Sequence, residues 1–129
     1  MSIETPEPKY LKDYLLQEYQ KGNYIVAGGD WNQSPPGFPK KFEDQVFDNQ
    51  NYKEIPADYL PSGWKWGWDG THPTNRRVGK IYNRGSTPTI LIDFFLVSPN
   101  IKNKKIRGID LDFQNSDHQP VAIKIRLKE

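Results

Sequence analysis

The chain has 129 residues, enough for one domain with a real core and too few for two. It has no cysteine, which excludes a disulfide framework and any thiolate metal site and leaves the redox compartment open. Eighteen basic residues stand against sixteen acidic ones, for a net charge of +2. That balance argues against a surface given over to coating nucleic acid, although a local basic patch remains able to hold phosphate. Aromatic residues make up 13%, including four Trp, which argues for a folded chain over a disordered one.

The first eight residues are polar and Pro-rich, with no apolar leader segment, and no apolar run reaches the length of a membrane span. Thr5, Pro6 and Glu7 read as a helix start: an N-cap, a proline at the first helical position and an acid in the first turn. Leu11, Leu15 and Tyr19 then form one apolar stripe, and Gly22 stands where the helix stops. Tyr24 to Ala27 is a short apolar run between glycine-containing pairs and predicts a buried strand. Asp30 to Lys41, with three prolines and a glycine, predicts a long loop, and Phe42 to Phe47 a helical turn.

From Asn49 to Tyr82 the pattern is weak, except that Trp64, Trp66 and Trp68 alternate as on a short strand. Thr89 to Val97, nearly all apolar, is the strongest predicted strand. Lys105 to Phe113 predicts another. Val121 to Leu127 alternates cleanly, with Val121, Ile123, Ile125 and Leu127 on one face and Ala122, Lys124 and Arg126 on the other. No repeat, low-complexity tract or linker divides the chain, so 1–129 is read as one unit.

Three polar clusters sit at strand ends. Gly28-Gly29-Asp30-Trp31-Asn32 places a carboxylate and an amide after two glycines, and by itself also reads as an ordinary turn. Asp93 lies inside the apolar run Ile90 to Val97, where a carboxylate is costly unless paired. Ser116-Asp117-His118-Gln119-Pro120 offers a carboxylate and an imidazole in one loop, although a lone Asp-His pair is commonly just a loop. Together, Asp30, Asn32, Asp93, Asp117 and His118 form an oxygen-rich set with one imidazole. Such a set suits Mg²⁺ or Mn²⁺ and phosphate-ester chemistry better than zinc.

Three strings in order, Gly29-Asp30-Trp31-Asn32, Ile92-Asp93-Phe94-Phe95-Leu96-Val97-Ser98 and Ser116-Asp117-His118-Gln119-Pro120-Val121, resemble the last three signature motifs of the endonuclease/exonuclease/phosphatase superfamily. That group includes abasic-site endonucleases, DNase I, neutral sphingomyelinases and inositol polyphosphate 5-phosphatases. The resemblance implies an α/β (α+β) fold: half of a four-layer sandwich, with one mostly antiparallel sheet and a helix on its outer face. It implies that Asp30 orients or deprotonates the attacking water, that Asn32 holds that water or the phosphate, and that Asp93 fixes the tautomer of His118. His118 would stabilise charge on the phosphate, and Asp117 would contribute to metal binding. Pro73-Thr74-Asn75-Arg76 sits where relatives place a Thr and an Arg near substrate, which nominates Thr74 and Arg76 for substrate binding.

The family's first two motifs, an Asn and the principal metal-binding Glu, have no counterpart here. Gln17-Glu18 imitates the second but lies on a helical pattern only twelve residues before Asp30. The expectation is therefore the C-terminal part of a metal-dependent phosphohydrolase that binds Mg²⁺ or Mn²⁺ weakly when isolated. Its partners would be a phosphate ester (nucleic acid, phospholipid headgroup or small phosphate) and either a second copy of the chain or a separate N-terminal chain. The rival expectation is a catalytically inactive remnant acting as a binding module.

Overall fold

The computed structural model describes residues 7–38, 53–79 and 81–128, so the proposed N-cap at Thr5 and the predicted turn at Phe42–Phe47 lie outside the described residues. The single described helix, α1, spans Glu7–Gln20. Leu15 is buried on its inner side, with Leu11 and Leu16 beside it. The helix ends as Gly22 foretells. Gly22 takes a left-handed φ of 91°, its N–H bonds the Tyr19 carbonyl at 2.9 Å, and the Asn23 N–H bonds Glu18 at 3.3 Å. This pair of bonds is the Schellman motif, which satisfies carbonyls that the last turn leaves open.

Seven strands follow: β1 (Val26–Asp30), β2 (Lys65–Gly67), β3 (Asn75–Arg76), β4 (Thr89–Ile90), β5 (Asp93–Val97), β6 (Ile101–Gly108) and β7 (Val121–Leu127). Their ladders are all antiparallel and fall into three sets, β1-β5-β2, β3-β4 and β6-β7. With one helix beside mostly antiparallel strands, the fold is α+β. No described helix is long and apolar enough to cross a membrane.

Two predicted strands shift. The run read as Tyr24–Ala27 begins at Val26 and continues through both glycines to Asp30, as an exposed edge strand rather than a buried one. The strand read as Lys105–Phe113 occupies Ile101–Gly108 instead. Beyond it the chain turns, with Asp112 and Phe113 at positive φ. The long run Thr89–Val97 is broken in two at Leu91–Ile92, because those residues leave one partner strand for another.

The three-stranded sheet sets the core. Ala27, Leu96 and Trp66 lie opposite one another in register and pack with Leu15 and Leu60 beneath α1. Phe94, one step along, joins Phe38, Ile55 and Leu91, with Trp31 stacked on it at 5.5 Å and Trp66 edge-on at 5.6 Å. On the opposite face, Gly67 lets the Ile106 side chain approach so closely that a Cβ would meet it at 2.6 Å. The β6-β7 ribbon thus leans against the back of the sheet. The central strand is consequently covered on both sides within one chain: Phe94, Leu96 and Val97 are all at most 1% exposed.

Gly28 has the same role on β1, where a Cβ would collide with the Phe95 ring. Gly28→Ala is expected to lower stability by about 1–3 kcal/mol through overpacking. Urea unfolding checks this; an unchanged midpoint would show that the ring yields freely.

Candidate active site

Four chain segments meet at one end of the sheet. The ladder between β1 and β5 sets Asp30 directly opposite Asp93, an arrangement of like charges that disfavours pairing unless something lies between them. His118 does. Its Nδ1 lies 2.8 Å from Asp93 Oδ2 and its Nε2 3.7 Å from Asp30 Oδ2. Ligand atoms of these three residues all fall within 4.8 Å of one another.

Long-range backbone bonds carry His118 there. Asn75 and His118 form an isolated antiparallel bridge. It is flanked by Arg76 N–H to the Asp117 carbonyl at 2.9 Å and Gln119 N–H to the Thr74 carbonyl at 2.8 Å. Gln119 is buried and adds its own side chain, with Nε2 donating to the Pro73 carbonyl and Oε1 accepting from Leu111 N–H. The imidazole loop is therefore tied to β3, and β3 pairs with β4 immediately before the strand that bears Asp93.

Thr74 is 2% exposed and serves the chain break before β5. Its Oγ1 accepts from the amides of Ile92 at 3.0 Å and Asp93 at 3.1 Å. These N–H groups have no ladder partner there, and leaving them bare would cost about 1–3 kcal/mol each. Trp31 works from the other side: its amide takes the Ile92 carbonyl and its indole N–H the Phe94 carbonyl, each at 2.9 Å. The residue after Asp30 thereby clamps the end of β1 to β5.

Asn75 was named in the sequence only as a neighbour of Thr74 and Arg76. It is 5% exposed, and its Nδ2 donates both to the Asp117 carbonyl at 3.0 Å and toward His118 Nε2 at 3.1 Å. The Asp117 carbonyl can only accept, which fixes the amide orientation. Nε2 is then an acceptor and Nδ1 carries the proton toward Asp93, the neutral tautomer with its basic nitrogen turned to Asp30.

The other predicted residues are placed as follows. Asn32 stands at a φ of 51° and contributes its backbone N–H to Asp30 Oδ1 at 2.9 Å, with its side chain exposed. Asp117 enters through its backbone carbonyl, and its carboxylate lies outside the three-residue group. Arg76 donates from Nη1 to the Arg77 carbonyl at 3.1 Å, while its buried Nε has no partner among the described residues.

Asp30, Asp93 and His118 form a group that could hold a metal ion. Asp30 Oδ2 lies at the exposed rim, whereas Oδ2 of Asp93 is engaged by His118. A Mg²⁺ site usually draws one or two carboxylates from the protein and fills its other positions with water.

Burial pushes the Asp93 carboxyl above its ordinary value of 3.8, hydrogen bonds from His118 and Thr74 offset part of the rise, and Asp30 adds to it. A carboxyl raised on folding takes up protons more readily in the folded state. Its stabilising effect is therefore complete below 3.8 and is lost as pH rises through the raised value. Asp93→Asn keeps an oxygen to accept from His118 Nδ1 and removes the buried charge. The variant is expected to unfold at higher urea than the native chain at neutral pH, with the gap closing toward pH 3.8. Urea midpoints measured across that range decide it, and a less stable variant at neutral pH would mean that the pairing outweighs the burial. No family model, curated protein or solved structure matches this chain.

Proposed function

We propose that this chain provides the C-terminal part of a metal-dependent phosphohydrolase site of the endonuclease/exonuclease/phosphatase type. The observation that carries the reading is the Asp93–His118–Asp30 array, in which an imidazole oriented from behind by a half-buried carboxylate faces a second, exposed carboxylate. In this reading Asp30 orients or deprotonates a water. His118 meets a phosphate oxygen. Asp93 and Asn75 are positioning residues that set its tautomer and hold its ring.

Asn75 touches His118 Nε2 while holding the Asp117 carbonyl, and the same ring nitrogen lies 3.7 Å from Asp30 Oδ2. In this reading the imidazole stabilises charge on a phosphate oxygen. A divalent ion held by Asp30, with Asp93 or substrate oxygens, would supply charge neutralisation. Thr74 supports this site from within the core, and Arg76, whose backbone N–H bonds the Asp117 carbonyl, is the cation proposed for a further phosphate contact. The β6-β7 ribbon covers part of the back of the sheet, where Ile106 approaches Gly67. The apolar groups left exposed at the strand ends are Tyr24, Val26, Ile125 and Leu127, where a second copy or a separate N-terminal chain would attach.

The test is hydrolysis of bis(p-nitrophenyl) phosphate and p-nitrophenyl phosphate by the purified chain with Mg²⁺ or Mn²⁺. Slow, metal-dependent turnover is expected, falling about 10²–10³-fold in His118→Ala, as when a single charge-stabilising donor is lost. Asp30→Ala is expected to abolish the metal dependence. Turnover untouched by either substitution, or by removal of the metal, would overturn the reading; no turnover under any condition would favour the binding-module alternative.

A further inference from the structure

The net charge of +2 conceals a strong segregation. Strands β6 and β7 together carry Lys102, Lys104, Lys105, Arg107, Lys124 and Arg126 and no acidic residue, leaving twelve basic against sixteen acidic residues elsewhere. The register shows how those cations are shared between the two faces. Lys105 lies opposite Lys124, Arg107 opposite Ala122 and Asn103 opposite Arg126. Opposed residues in an antiparallel pair point to the same side, as do residues two apart along a strand. Lys105, Arg107, Lys124 and Arg126 therefore occupy one face, and all four are exposed. Lys104, Ile106, Val121 and Ile123 occupy the other, are partly buried, and lean on the three-stranded sheet.

Nothing among the described residues accounts for this face. No carboxylate among the described residues pairs with any of the four cations. The directly opposed Lys105 and Lys124 repel each other across the ladder, which weakens the ribbon. Charged side chains do guard sheet edges against unwanted pairing, but alternating signs would guard as well without that repulsion. A surface of one sign fits an external polyanion. Its shape narrows the choice. A two-stranded β-ribbon is an element that the B-DNA major groove admits. The described side chains interleaved on the cationic face include no aromatic, so the stacking platforms that capture single strands are missing. They also include no bulky apolar group to enter a lipid interface.

We propose that the exposed face of the β6-β7 ribbon, through Lys105, Arg107, Lys124 and Arg126, docks on the sugar-phosphate backbone of duplex DNA. The docking is sequence-independent and does not rest on the phosphohydrolase reading, since none of the four residues belongs to the Asp30–Asp93–His118 array.

The experiment is fluorescence anisotropy of a labelled mixed-sequence duplex titrated with the full chain, from about 50 to 200 mM KCl, the range over which phosphate contacts are lost. Binding is expected to weaken linearly on a log–log plot. Each of Lys105→Gln, Arg107→Gln, Lys124→Gln and Arg126→Gln should reduce the slope by about 0.9, and the fourfold variant should fail to bind. Lys9→Gln, on the exposed side of α1, should behave as the native chain. Urea midpoints report on folding: Lys105→Gln and Lys124→Gln relieve a repulsion and are expected to unfold no earlier than the native chain. Three results would overturn the proposal: no binding at the lowest salt, a salt slope unaltered in the fourfold variant, or tighter binding of a matched single strand or of phosphatidylserine vesicles than of the duplex.

Discussion

The carboxylate of Asp93 enters the protein at the first residue of the most deeply buried strand, and the end of the sheet is organised around making that tolerable. Burial disfavours its charge, and the Asp30 carboxylate opposite disfavours it further. His118 and the Thr74 hydroxyl supply the compensation. For His118 to reach it, the Ser116–Pro120 loop must be fastened to β3. For Thr74 to reach it, β3 must pass beside the break between β4 and β5. One costly group thus dictates the relative placement of β1, β3, β4, β5 and the imidazole loop.

That arrangement also separates the side chains packed behind the imidazole from those exposed in front of it. The residues behind the imidazole, Thr74, Asn75 and Gln119, are buried and each makes bonds to the backbone of another segment. The residues in front, Asp30 and Asn32, are exposed on an edge strand and the turn that follows it. A firmly built rear wall with an accessible front is the geometry required of a site that orients one reactive group against something arriving from solvent.

The sequence disclosed the parts governed by local rules. The stripe Leu11, Leu15 and Tyr19 and the stop at Gly22 define α1 because helix periodicity and left-handed capping are decided within a few residues. The alternation from Val121 to Leu127 defines β7 for the same reason. Asp93 and His118 were legible as a pair because a carboxylate in an apolar run demands a partner. Where partners were remote, local reading faltered. Gly28 and Gly29 look like a turn, yet the first is required by the Phe95 ring and both belong to β1. Thr89 to Val97 looks like one strand, yet it changes partners at Leu91–Ile92. Asn75 carried no signal, since its importance arises only from the bridge to a residue 43 positions away. The shift of β6 toward Ile101 has a similar cause, since its register is set by pairing with β7 and by the approach of Ile106 to Gly67.

The wide separation of the array along the chain has a bearing on the order in which the molecule takes shape. Asp30, Asn75, Asp93 and His118 come from opposite ends and the middle of the sequence, so bringing them together requires closing long loops before any contact rewards the lost freedom. The β6-β7 pairing is closer to a local event, because the two strands are joined by residues 109–120 alone. A full-length chain folding from the unfolded state is thus expected to form its cationic ribbon while the carboxylates and imidazole are still apart. The array, by contrast, comes into being only when nearly every other element is in place, which makes its assembly a late and stringent marker of complete folding.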